Sequence, residues 1–175
     1  MKLLPSLLFL IFCISIGYAQ TPIPTGNPDT VTSFLSKQKE IIEILVNQRA
    51  KLKEIDFQID NCQKNANRVL GQVKFATQIP FIRDSALKAT LALRTKSKEY
   101  FSQFCELALE SNLHSRDIAS IYTRYGELKK LPNIDDSLAE FIKEHRVNIF
   151  LTEGLAKKFD NLFNDLEFLL ISKLN

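Results

Sequence analysis

Apolar or small residues recur along the first half of the chain in alternating steps of four and three. The series runs Phe34, Ile41, Leu45, Leu52, Ile55, Ile59, Cys62, Ala66, Val69, Val73 and Ala76, with only Gln38 and Gln48 polar within it. Such spacing keeps one stripe on one face of a helix for about six heptads, with Leu45, Leu52, Ile59, Ala66 and Val73 at a positions. The two-residue alternation of a strand does not fit. The pattern predicts a helix over 35–77, about 60 Å long at 1.5 Å per residue.

Two more helical arms follow. Over 85–131, with Asp84 or Ser85 as N-cap, a stripe of Leu87, Leu91, Phe101, Cys105 and Ala108 is widened by Tyr100, Phe104 and Leu107. The polar run Ser111–Ser115 reads as a break, with Ser115 and Asp117 opening a new start. The arm resumes with Ile118, Ile121, Tyr122, Tyr125 and Leu128 and stops before Pro132. Over 136–173 the series is Leu138, Ile142, His145, Ile149, Thr152, Ala156, Phe159, Phe163, Leu166 and Leu170. Ser137 and Glu140 form a capping box, and Gly154 is a candidate bend. Three arms of similar length with short connections predict an all-α fold: an elongated antiparallel helical bundle with coiled-coil-like heptad packing. Its middle arm is broken near Ser111–Ser115, or, if that break is a reversal, the bundle has four helices.

The N-terminus reads differently. Met1-Lys2, an apolar stretch from Leu3 to Tyr18 and the small residues Gly17 and Ala19 make a secretory signal, with cleavage after Ala19. The run of about 16 residues is short for the ~20 that a membrane anchor needs. A lipid-modified Cys13 is disfavoured by the bulky Phe12 before it. The expected organisation is a signal peptide over 1–19, a Pro-rich flexible lead over 20–33 and a helical bundle domain over 34–175. The expected location is secreted or periplasmic.

Composition refines this picture. The chain has 175 residues, 45% hydrophobic and 25% charged, with 23 basic against 20 acidic side chains. That excludes a disordered chain and a polytopic membrane protein, and the near-zero charge gives no basic face for nucleic acid. Losing residues 1–19 leaves 156 residues and the pair Cys62 and Cys105. An even count in an exported chain favours a disulfide. In a hairpin turning between 83 and 84 the two cysteines lie at one level; the alternative is two buried thiols.

Candidate chemistry is sparse. His114 and His145 have no partner at zinc-ligand spacing, and no phosphate loop, nucleophile elbow or calcium loop is present. His145 reads as a hydrogen-bonded core histidine. In the segment from Tyr122 to Lys130 the tyrosines read as stripe and the charges as the wet face. No cofactor or metal is implied. The clue that remains is apolar surface the seam does not need: Val46, Phe57 and Phe75 on the first arm, Phe168 and Ile171 on the last. These residues are the candidate interface, although single exposed apolar residues are ordinary. The expected function is a non-enzymatic protein-interaction module: an adaptor, periplasmic partner or secreted effector, with a protein partner or a second copy bound. The alternative is a carrier of lipid or another apolar small molecule between the helices. No stable membrane insertion is expected once the signal is removed.

Overall fold

The computed structural model describes residues 28–76, 80–128 and 134–173. The expected signal peptide, the lead as far as residue 27 and the side chain of Phe75 lie outside the described residues. Among the described residues the fold is all helical, without strands. Helix α1 spans Pro28–Ala76, α2 Pro80–Leu128 and α3 Ile134–Phe168, the last followed by a π-helical turn, Leu169–Lys173.

Two helices start earlier than the pattern placed them. Helix α1 begins at Pro28 rather than near residue 35, and α2 at Pro80 rather than Ser85. In both cases a proline opens the helix. Its missing N–H costs nothing in the first turn, where no intrahelical acceptor exists, and its fixed φ is already helical.

The expected break at Ser111–Ser115 is absent, because α2 passes through it as continuous helix. The four-helix alternative falls with it. Weak helix formers in mid-helix cost only tenths of a kcal/mol each, and the Ser111 hydroxyl donates to Gln48 Oε1 at 3.2 Å. A local stop signal is outweighed by packing on a neighbouring helix. Gly154 likewise leaves α3 uninterrupted.

The chain forms two compact units, one containing residues 28–49 and 108–149, the other 50–107 and the described part of 150–175. In the first unit, Gln38 meets Ser137 and Leu45 meets Asn148, while Gln48 meets Ser111. Helices α1 and α3 therefore run in the same direction and α2 runs against them. Its core gathers Phe34, Ile41, Leu45, Ile118, Ile121, Leu128, Ile134, Leu138 and Phe141. In the second unit Asp56 meets Lys158 and Gln63 meets Asp165, with Tyr100 donating to Gln58, so the same up–down–up order holds. There Val69, Val73, Ala86 and Leu169 form one cluster. Phe101, Phe104, Phe159 and Phe163 form another, with ring centroids 5.2–6.2 Å apart.

Every described residue of the α1 series is buried, Gln38 and Gln48 included. The other two stripes hold in part: Phe104, Leu107, Ile118, Ile121 and Leu128 on α2 and Leu138, Ala156, Phe159 and Leu166 on α3 are buried as their spacing implies, and the remaining positions need correction by about one residue. In the first part of α2 the unexpected residues Ala86, Thr90 and Ser97 are buried, whereas Leu91 is exposed. The Thr90 and Ser97 hydroxyls donate to the carbonyls of Ala86 and Leu93 at 2.8 and 2.7 Å. Back-bonding of this kind lets a short polar side chain sit in a seam. On α3 and its π-helical turn, Phe141, Asn148, Leu155, Leu162 and Leu169 are buried where Ile142, Ile149, Phe163 and Leu170 stay half-buried.

Cys62 and Cys105 are both free, which corrects the expected disulfide. The physical reason is register. With α2 beginning at Pro80 and Tyr100 Oη 3.1 Å from Gln58 Oε1, residue 62 lies near the level of residue 96. Cys105 is about nine residues further along α2, roughly 13 Å at 1.5 Å per residue. A disulfide tolerates a Cα separation of about 4.4–6.8 Å.

Candidate functional site

The outer face of the second unit carries large apolar side chains that its core does not use. Phe57 is 60% exposed, Phe168 50% and Ile171 63%, as their places opposite the seam imply. Phe81 and Phe150, which no spacing argument marks, are 82% and 76% exposed. Phe150 was hidden by the one-position error in the α3 stripe, since it follows Ile149, which had been assigned to the seam. In the first unit Val46, Leu109 and Tyr122 are the corresponding exposed residues.

The second unit also holds a cleft of about 350 Å³ on the groove between α1 and α3. Ile59 is its one apolar lining residue; Asp60, Gln63, Lys158, Asn161, Asn164 and Asp165 complete it. Lys158 Nζ donates to Asp56 Oδ1 at 2.6 Å and to Asp60 Oδ1 at 2.8 Å. Burial works against the ammonium charge, but the hydrogen bonds and charges of the two carboxylates outweigh it and raise the Lys158 pKa. Gln63 Nε2 donates to Asp165 Oδ2 at 2.6 Å. The cleft offers hydrogen bonds and paired charge.

A buried polar layer sits in the seam of the first unit. Arg49 pairs with Glu144, and its Nε donates to Asn148 Oδ1 at 3.4 Å. Asn148 Nδ2 donates to the Leu45 carbonyl at 2.8 Å. One repeat away, Gln38 donates to the Ser137 carbonyl and accepts from the Ser137 hydroxyl at 2.8 and 2.7 Å. These polar groups would be costly to bury alone, and they partner one another across α1 and α3.

His145 flanks this layer, half-buried, with its ring stacked on Phe141 at 6.1 Å and Nδ1 3.2 Å from Tyr122 Oη. The phenol donates when Nδ1 is unprotonated. Burial lowers the His145 pKa below 6.5. Burial also raises that of Tyr122 above 10.0, against a smaller opposing effect of the Arg146 charge. Both shifts favour the neutral pair. Between the folded and unfolded values of His145 the unfolded chain binds more protons. Its contribution to stability is therefore complete above about pH 6.5 and is lost as pH falls through the folded value. The Tyr122 contribution is present below about pH 10 and is lost as pH rises through its folded value. Urea midpoints are expected to fall between about pH 7.5 and 5.5, and His145→Gln is expected to flatten that slope. An equal slope in the variant would remove His145 as its source.

Tyr125 packs against the first unit's core and His114 is half-buried within α2. Among the described residues no three His, Cys, Asp or Glu side chains gather so as to hold a metal ion, and no helix is long and apolar enough to cross a membrane. No family model, curated protein or solved structure matches the chain.

Proposed function

We propose that this is an exported, non-enzymatic helical protein that works by binding another protein or a second copy of itself. In this reading residues 1–19 direct export and are removed after Ala19, and the mature protein acts in a secreted or periplasmic setting. Coiled-coil-like packing of α1, α2 and α3 supplies a stiff support whose outer side chains face water. The observation that carries the reading is the exposure of Phe57, Phe81, Phe150, Phe168 and Ile171 on the second unit, each at 50% or more. Large apolar side chains left in water are the usual raw material of interface anchors. A lipid carrier would need an apolar cavity of ~300 Å³ or more, and six of the seven residues that line the described cleft are polar or charged. That favours the interaction reading.

The test is a Phe57→Ser, Phe168→Ser double variant, compared with the wild type by sedimentation and by copurification from the native compartment. Loss of a stoichiometric protein partner, or of a self-association step, is the expected result. Unchanged oligomeric state, solubility and copurifying proteins would remove this surface from consideration. A stoichiometric lipid in place of a protein would favour the carrier.

A further inference from the structure

We propose that the charges along the α1–α3 groove act as a key that admits only one register of the two helices. The need for a key follows from the seam itself. A stripe that repeats every seven residues is close to degenerate: sliding one helix by seven again sets apolar positions against apolar positions. Buried series such as Leu45, Leu52, Ile59 and Ala66 on α1, and Leu155, Leu162 and Leu169 on α3, do not by themselves choose among such slips. Helices α1 and α3 are not joined directly, since α2 lies between them in the chain, so no single turn sets their register.

The polar contacts do choose. In the first unit Arg49 pairs with Glu144, and Gln38 exchanges two hydrogen bonds with Ser137. In the second unit Lys158 bridges Asp56 and Asp60, and Gln63 holds Asp165. A seven-residue slip toward the start of α1 sets Lys158 against Arg49 and Lys53, Asp165 against Asp56, and Glu144 against Ile42. Three like-charge contacts appear and the Arg49 pair is lost. The opposite slip sets Glu144 against Asp56 and Lys158 against the neutral Gln63 and Asn67, again stranding Arg49. Either slip trades attraction for repulsion at the groove, and both separate Gln38 from Ser137. Buried or flanking polar groups that fix register at the expense of apolar burial are a known use of such residues in helical seams.

The test uses the full chain with Cys13, Cys62 and Cys105 replaced by Ser, and two reporter pairs of introduced cysteines. Gln38→Cys with Ser137→Cys reports the observed register. Val31→Cys with Ser137→Cys reports the slip toward the start of α1. With native charges only the first pair is expected to cross-link on mild oxidation. E144K with K158E repels in the observed register, but in the slipped one the new glutamate at 158 faces Arg49 and Lys53. The 31–137 yield relative to 38–137 is expected to rise about tenfold, the order of change that reversing several charge contacts produces. An unchanged ratio in a folded variant overturns the proposal. If E144K with K158E loses its helical circular dichroism, adding R49E, D56K and D60K restores every pair with signs exchanged. Recovery of helix content and of the 38–137 cross-link is then the expected result, and failure to recover overturns the key.

Discussion

Replacing Phe159 by Ala is expected to lower the unfolding free energy by about 3–5 kcal/mol, the range for deleting a large aromatic from a core that cannot collapse around the gap. Phe159 is fully buried. Its ring meets Phe101 edge-on at 5.2 Å and lies 5.4 Å from Phe104 and 6.1 Å from Phe163. Three aromatic neighbours lose contact at once, and rings held on two helices have little freedom to close the space. The control is Phe150→Ala, also an aromatic on α3 but 76% exposed. It is expected to change stability by less than about 0.5 kcal/mol. Urea denaturation measures both. Hydrogen exchange should place the F159A effect in the amides of the second unit, and a cost near that of F150A would mean that the cluster is not a packed core.

The second large effect belongs to Glu144. Its carboxylate pairs with Arg49, and the two side chains are only 11% and 20% exposed. Glu144→Ala strands a guanidinium in the seam with Asn148 Oδ1 as its remaining acceptor, and the expected cost is about 3 kcal/mol. The double variant R49M/E144L removes both charges and leaves no unpaired charge, so it is expected to cost much less than the single one, or to stabilise. This ordering separates the penalty of an unpaired charge from the worth of the pair, which is small once desolvation is counted. A double variant less stable than E144A would reverse that account. Any stability it recovers would come with a weaker register key, because the pair that distinguishes one slip from another is gone.

How far the chain could be read in advance differs from helix to helix. The α1 seam was legible because ten of its twelve described members are apolar or small, and the two glutamines fell into step with them. The exposure of Phe57 was legible for the same reason: once a stripe is known, its far side is known. The first part of the α2 seam was not, because Thr90 and Ser97 look like surface residues to any hydrophobicity count. Only their back-bonded hydroxyls make them acceptable inside. On α3 the buried Glu144 and Asn148 hid the true stripe, since each is sensible in the seam only with Arg49 or the Leu45 carbonyl opposite it. The cysteines show the cost of a small local error. Placing the start of α2 a few residues late brought Cys62 and Cys105 to one level, when about nine residues of helix separate them.

Helix content, the position of the α1 stripe and the outward place of Phe57, Phe168 and Ile171 are properties of residue spacing, and the sequence alone determined them. A helix carries its own geometry wherever it is placed, so a repeat along the chain is a stripe in space. Which polar residues belong inside, whether α2 continues through Ser111–Ser115, and whether two cysteines meet depended on the tertiary structure. Each of those outcomes depends on what a second helix sets opposite the residue. A buried charge, a seam hydroxyl or a mid-helix serine is favourable or ruinous according to its partner, and that partner lies on another helix, tens of residues away along the chain.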